Sequence, residues 1–211
     1  MMIRFSLRMA VVSMAGLLFA LVIAHPARGG AAAEEIQGAV EKVVAILNDP
    51  NLKAAAKRPE RLEQLRRVIY PKFDFAEMAK RSLGSHWQKR SAQEQREFVK
   101  LFTQLIEDSY MENLEAYDGD KVVITGQQQE QDYAEVRSKI ATKQGREHSV
   151  DYKLIRTGGN WKIYDVVIEN ISLVNNYRSQ FNRVVSQSSF EELLQRMKDK
   201  RLEGAAKKQK I

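Results

Sequence analysis

Three histidines, one misplaced acid and a complete lack of cysteine set the limits on what this chain can do. His25, His86 and His148 are far apart, with no second ligand at metal-binding spacing beside any of them. They make a poor metal site, and with no cysteine there is no thiolate zinc and no thiol nucleophile. His86 sits between Gly84 and Trp87, where a turn or surface role fits it better than catalysis. No GxSxG, HExxH or Walker loop occurs, and "TGGNW" reads as a hairpin turn, not a phosphate cradle. Asp165 is different. It stands inside "WKIYDVVIEN", an otherwise apolar strand, where an acid is either paired near a sheet edge or available as a general base.

The elements that must hold these residues come in two halves. Ile36, Val40, Val43, Val44 and Leu47 fall on one stripe of a helix from about 34 to 48. "RPERLEQLRRVIYP" gives a second helix, with Pro59 in its first turn and Pro71 past its end. "FDFAEMAKRSLG" gives a third, closed by Gly84. "SAQE" is a capping box that opens a long fourth helix, apolar at Phe98, Leu101, Phe102, Leu105, Ile106, Tyr110, Leu114 and Tyr117. The period then changes. "KVVITG", "YAEVRSKIAT", "HSVDYKLIRT" and "WKIYDVVIEN" read as strands, with Gly158–Gly159 marking a two-residue hairpin. Leu173, Tyr177, Phe181 and Val184 form a further helical stripe, and Ser189 with Glu192 opens a last helix. Short connectors favour an antiparallel meander, so the fold class is α+β with a curled sheet packed by helices.

The fourth strand carries an anomaly. Tyr164, Val166 and Ile168 lie on one face, and Trp161, Ile163, Asp165 and Val167 on the other. Both faces are mainly apolar, whereas a sheet with one wet face alternates. Either the strand is sandwiched between helix layers, or the sheet curls around an internal apolar cavity.

Arg4 and Arg8, then "MAVVSMAGLLFALVIA", then "HPARGGAAAEE" fit a secretory signal peptide over residues 1–33, with cleavage between 24 and 33; an uncleaved anchor is the rival. The folded domain is expected over 34–200, with a basic disordered tail at 201–211. The net charge of +7 is uneven. Residues 196–211 hold seven bases and two acids, while the body from 34 to 195 holds 24 bases and 25 acids. A near-neutral body with no basic stripe argues against tracking nucleic-acid phosphates. The tail suits anionic lipid head groups or an acidic partner.

Two segments, "FAEMAKRSLGSHWQKRSAQEQREFVKLFTQLIEDSYMENLEAYDG" and "NWKIYDVVIENISLVNNYRSQFNRVV", resemble the MlaC family, also called the toluene-tolerance auxiliary family. The residues that carry the likeness are Leu83, Gly84, Trp87, Gln95, Arg96, Phe98 and Tyr110, then Trp161, Tyr164, Asp165, Glu169, Ser172 and the run to Phe181. Asn170 stands where the family commonly has Gly, and Asn also tolerates a left-handed turn. The resemblance implies an NTF2-like curved sheet with a helical subdomain and an internal apolar pocket for acyl chains. It implies a periplasmic carrier, not an enzyme, with no cofactor beyond its phospholipid cargo. It implies passage of diacyl phospholipid between an outer-membrane lipoprotein–porin complex and an inner-membrane ABC transporter with its substrate-receiving subunit, which maintains outer-membrane lipid asymmetry. Strand parity then selects the expected lining: Val122, Ile124, Val136, Ile140, Tyr152, Leu154, Tyr164, Val166 and Ile168, with Tyr177 and Phe181 from the covering helix. The alternatives are an exported NTF2-like enzyme using Asp165 on a small apolar substrate, and an envelope adaptor without a ligand.

Overall fold

A computed structural model describes residues 30–115, 117, 119–200 and 202. Residues 1–29 of the expected 1–33 export segment fall outside the described residues, as does the basic tail apart from Leu202, which packs against the core.

The sheet is a meander of β1 (Lys121–Glu130), β2 (Tyr133–Ala141), β3 (Glu147–Thr157), β4 (Asn160–Ile168) and β5 (Ile171–Ser172), all antiparallel in that spatial order. Gly158 and Gly159 both adopt positive φ, as the two-residue β3–β4 turn requires. Glu169 and Asn170 do the same between β4 and β5, at φ 48° and 63°. Asn170 therefore keeps the left-handed turn. β1 runs four residues beyond the expected "KVVITG", through Gln127–Glu130, because β2 supplies partners for the whole glutamine run. β5 departs from the sequence reading, in which its two residues belong to the start of the following helix; they pair instead with Val167 and Ile168 of β4.

The helices are α1 (Ala31–Asn48), α2 (Arg58–Ile69), α3 (Phe75–Leu83), α4 (Ala92–Glu115), α5 (Leu173–Gln187) and α6 (Phe190–Lys198). α1 begins before residue 34. Its Ala32 and Ala33 are buried, and the Ala33 N–H donates to Gln127 Oε1 of β1 at 2.7 Å. The capping box of α4 forms in both directions: Ser91 N–H donates to Glu94 Oε2 at 2.7 Å, and Glu94 N–H donates to Ser91 Oγ at 3.3 Å. At α6 only half of the expected box is made. Ser189 Oγ accepts the Glu192 N–H, but the Glu192 carboxylate pairs with Arg196 one turn on.

Packing divides the molecule. α3, α4, α5 and α6 enclose a cluster of rings, Phe98, Phe102, Tyr177, Phe181 and Phe190, with centroids 5.5–6.3 Å apart. Lys198 and Lys200 tie α6 and its exit to Glu97 and Asp108 of α4. The chain entering α3 attaches to the edge of β4: Phe73 bridges Ile163, and Asp74 N–H donates to the Ile163 carbonyl. α1 lies across β1 and β2, with α2 packed on it. α2 is linked to α4 where Arg66 and the Tyr70 hydroxyl both bond the Glu107 carboxylate. Burial alone would raise the Glu107 pKa, but the bonds from Tyr70 and Arg66 outweigh it and leave the pKa below its usual value. Burial, followed by the bond to Glu107, pushes Tyr70 up to about 12.

Candidate functional site

The inner face of the sheet can be read from the strand register, because directly paired residues project to the same side. Its rows are Val122–Ile140–His148, Ile124–Ser138–Val150–Ile168, Gln127–Val136–Tyr152–Val166, Gln129–Ala134–Leu154–Ile163 and Arg156–Trp161. Except for Gln127, Gln129, Ser138, His148 and Arg156 this surface is apolar or aromatic. Gln127 is occupied by Ala33, and Ser138 Oγ donates to the Val150 carbonyl at 2.6 Å. Burial pushes the Tyr152 hydroxyl pKa above its usual value.

A one-residue slip explains why β4 is apolar on both faces. Lys153 pairs with Asp165, but Leu154 pairs with Ile163, so Tyr164 has no partner of its own. It is the extra residue of a β-bulge. Trp161 and Ile163 point inward before the bulge, and Val166 and Ile168 point inward after it. The inward set changes parity midway, and a strict period of two misreads it.

The structure brings together eight of the expected lining residues on this face: Val122, Ile124, Val136, Ile140, Tyr152, Leu154, Val166 and Ile168. Tyr164 is not among them, and the expectation for it is corrected. Its ring lies under the Arg81 guanidinium, 4.2 Å from the centroid, and meets Tyr133 edge-on at 6.0 Å. Tyr133 belongs to the outer parity of β2. Tyr177 and Phe181 do turn inward, but into the ring cluster, where both are fully buried. Parity reasoning that carried through to β2 and β3 would also have found Ala134, Ser138 and Val150. Ile163 and Trp161 are concealed by the bulge, and His148 carries no local signal, since its carboxylate neighbour Glu169 lies on another element.

Burial is uneven across the face. Val136 and Leu154 are fully buried, and Val166 and Ile168 nearly so. Val122, Ile124, Ile140 and Tyr152 are only half-buried, as are Val40, Val43, Val44 and Leu47 of α1 and Tyr110 of α4. Val40, Tyr110, Ile124, Ile140 and Tyr152 pack against the core without being sealed by it. An apolar surface left partly uncovered has a hydrophobic free energy still to gain, about 25 cal/mol for each Å² that a ligand covers. The chemistry on offer is the binding of something apolar.

Both carboxylate oxygens of Asp165 are engaged within the fold. Its Oδ1 accepts the Val174 N–H at 3.1 Å, and its Oδ2 accepts the Ser172 hydroxyl at 2.6 Å. Ser172 Oγ in turn accepts the Asn175 N–H and caps α5. The carboxylate thus joins β4 to the N-terminus of α5, where negative charge is favoured. Among the described residues no group of three His, Asp or Glu could hold a metal ion, and no helix is long and apolar enough to cross a membrane.

Three comparisons bear on the chain. The family model described as MlaC protein matches residues 37–199. The intermembrane phospholipid transport system binding protein MlaC of Haemophilus influenzae is 24% identical over 138 residues, 63% of this chain and 64% of that protein. The alignment thus spans just under two thirds of that relative's length. The phospholipid-binding protein from Ralstonia solanacearum, solved in complex with a phospholipid, superposes with a TM-score of 0.71 at 24% identity, over 80% of this chain and 95% of that one. At that identity the likeness is one of fold.

Proposed function

The chain belongs to the MlaC family, whose model covers residues 37–199, and from that premise we propose that it is a periplasmic phospholipid carrier. The observation that carries the reading is the half-covered apolar face. Val122, Ile124, Ile140 and Tyr152 come together on the sheet through register alone, and the helices leave them partly open. The expected occupants are the acyl chains of a diacyl phospholipid, with the head group left in water. Two such chains carry roughly 30 methylenes, each worth about 0.8 kcal/mol on leaving water. Even heavily discounted, that sum forbids useful release into the periplasm. A carrier of this kind unloads only by docking. The partners that fit are an outer-membrane lipoprotein–porin complex and an inner-membrane ABC transporter with its receiving subunit, in a cycle that maintains outer-membrane lipid asymmetry.

The engagement of both Asp165 oxygens supports a binding role over the enzyme alternative. Export by a signal peptide is part of the proposal. Cleavage after Ala33 would remove Ala32 and Ala33, two residues packed in the core, so the earlier site beside Ala24 is favoured. The basic tail is assigned to contact with anionic lipid head groups or an acidic partner.

Solvent extraction of purified protein followed by mass spectrometry tests the carrier directly. Co-purifying diacyl phospholipid is expected. A protein that stays lipid-free even after incubation with vesicles would end this reading.

A further inference from the structure

His148 occupies the border between the apolar face and water. It projects from β3 on the inner face, opposite Ile140 and, one strand further, Val122. The two sides of its ring meet different surroundings. Nδ1 lies 3.6 Å from Oε1 of Glu169, whose side chain is 50% exposed in the β4–β5 turn. That same oxygen is held by the Ser149 N–H at 2.7 Å. Nε2 is buried and has no hydrogen-bond partner among the described residues. A buried, unpaired ring nitrogen costs stability, and its presence calls for an explanation.

The neighbouring polar groups do not share this position. Gln127 and Ser138 are satisfied within the protein. The Tyr110 hydroxyl is also buried without a hydrogen-bond partner among the described residues, but it stands on α4 beside Tyr177 of the ring cluster. Trp161 Nε1 is likewise buried without a partner among the described residues, but at the opposite end of β4, beneath Arg156. Of these groups His148 is the one with a side toward an exposed carboxylate and a buried nitrogen on the other.

We propose that His148 Nε2 donates a hydrogen bond to an oxygen in the phosphoglycerol region of a bound diacyl phospholipid, and so fixes where the head group leaves the apolar face. This rests on the carrier reading above. A phospholipid laid along the face places its ester and phosphate oxygens at the same border. These oxygens accept hydrogen bonds and cannot donate them. At 3.6 Å, Nδ1 is beyond hydrogen-bond length from Glu169, so a neutral ring is free to carry its proton on Nε2. A protonated ring donates from Nε2 as well.

The test is the binding of phosphatidylglycerol with one fluorescent acyl chain to the mature protein, to His148→Phe and to His148→Gln, with thermal melts as a folding control. Phe keeps the bulk and removes the donor, and about a tenfold loss of affinity is expected. Gln can place its amide nitrogen near the position of Nε2 and should recover most of that loss. Two further ligands assign the acceptor: a diether analogue lacking ester carbonyls, and diacylglycerol lacking phosphate. The Phe penalty should vanish on whichever lacks the acceptor. Equal affinity of wild type and Phe for phosphatidylglycerol overturns the proposal. So does a loss that Gln fails to recover, or a penalty unchanged on both analogues, since each assigns the effect to packing. Absence of lipid binding by the wild type would remove the carrier reading itself, and the wild-type arm reports that outcome separately.

Discussion

The ring cluster between α4, α5 and α6 and the inner face of β1–β3 are both largely apolar, yet the first is sealed throughout, while the second is sealed at Val136 and Leu154 and left partly open at Val122, Ile124, Ile140 and Tyr152. Phe98, Phe102, Tyr177 and Phe181 have no measurable exposure, and each ring touches at least two others. Ile124, Ile140 and Tyr152 keep part of their surface, with Val40 and Tyr110 half-covered near the same core. The lesson is that hydrophobicity alone does not distinguish structural core from binding surface. Closure does. Where helices interdigitate, the side chains stabilise the fold; where helices stop short, they are left to meet a ligand.

The largest expected effect falls on the sealed region. Phe98→Ala removes a fully buried ring with three ring neighbours. It should cost about 3–5 kcal/mol and lower the melting temperature by roughly 10 °C. A calorimetric scan showing a shift of only a degree or two would mean that this cluster is not the stabilising centre. The complementary change on the open face is Ile140→Glu. A charge placed where acyl chains are to lie should weaken phospholipid binding by roughly 30–100-fold, on the scale of inserting an acid into hydrocarbon. Ile140 is only partly buried against the core, so the lipid-free melting temperature should fall as well, but by less than in Phe98→Ala. Unaltered loading in a vesicle-uptake assay would place the ligand elsewhere. Asp165→Asn gives the smallest effect. Asn retains an acceptor for the Val174 N–H but weakens the bond from Ser172, a loss of about 1–2 kcal/mol by denaturant titration. Lipid uptake should stay at the wild-type level, and its abolition would contradict a purely structural role for this acid.

Much of the fold was legible because its signals are local. The Ser91–Glu94 box and the Gly158–Gly159 turn each lie within a few residues, and both form as their spacing requires. The bulge at Tyr164 was not legible. An inserted residue leaves no compositional mark, and apolar residues on both sides of the slip look like a strand buried on two faces. The register that exposes it depends on Leu154 and Lys153, which belong to another strand. His148 escaped for a related reason: the carboxylate that gives its ring an outer side lies 21 positions later in the sequence. The α1 stripe shows the limit of periodicity. Spacing indicates that Ile36, Val40, Val43 and Val44 share a face, but the sealing of Ile36 and the partial exposure of the others depend on what packs opposite.

The most direct test of the account is the melting temperature of delipidated protein with and without added diacyl phospholipid, in the wild type and in Ile140→Glu. A ligand bound only by the native state stabilises it according to its concentration over its dissociation constant, by about 2.7 kcal/mol at a hundredfold excess. The account predicts a rise of several degrees in the wild type and little or none in the variant. An unchanged melting temperature in the wild type, or an equal rise in both proteins, would contradict the assignment of the open face to lipid.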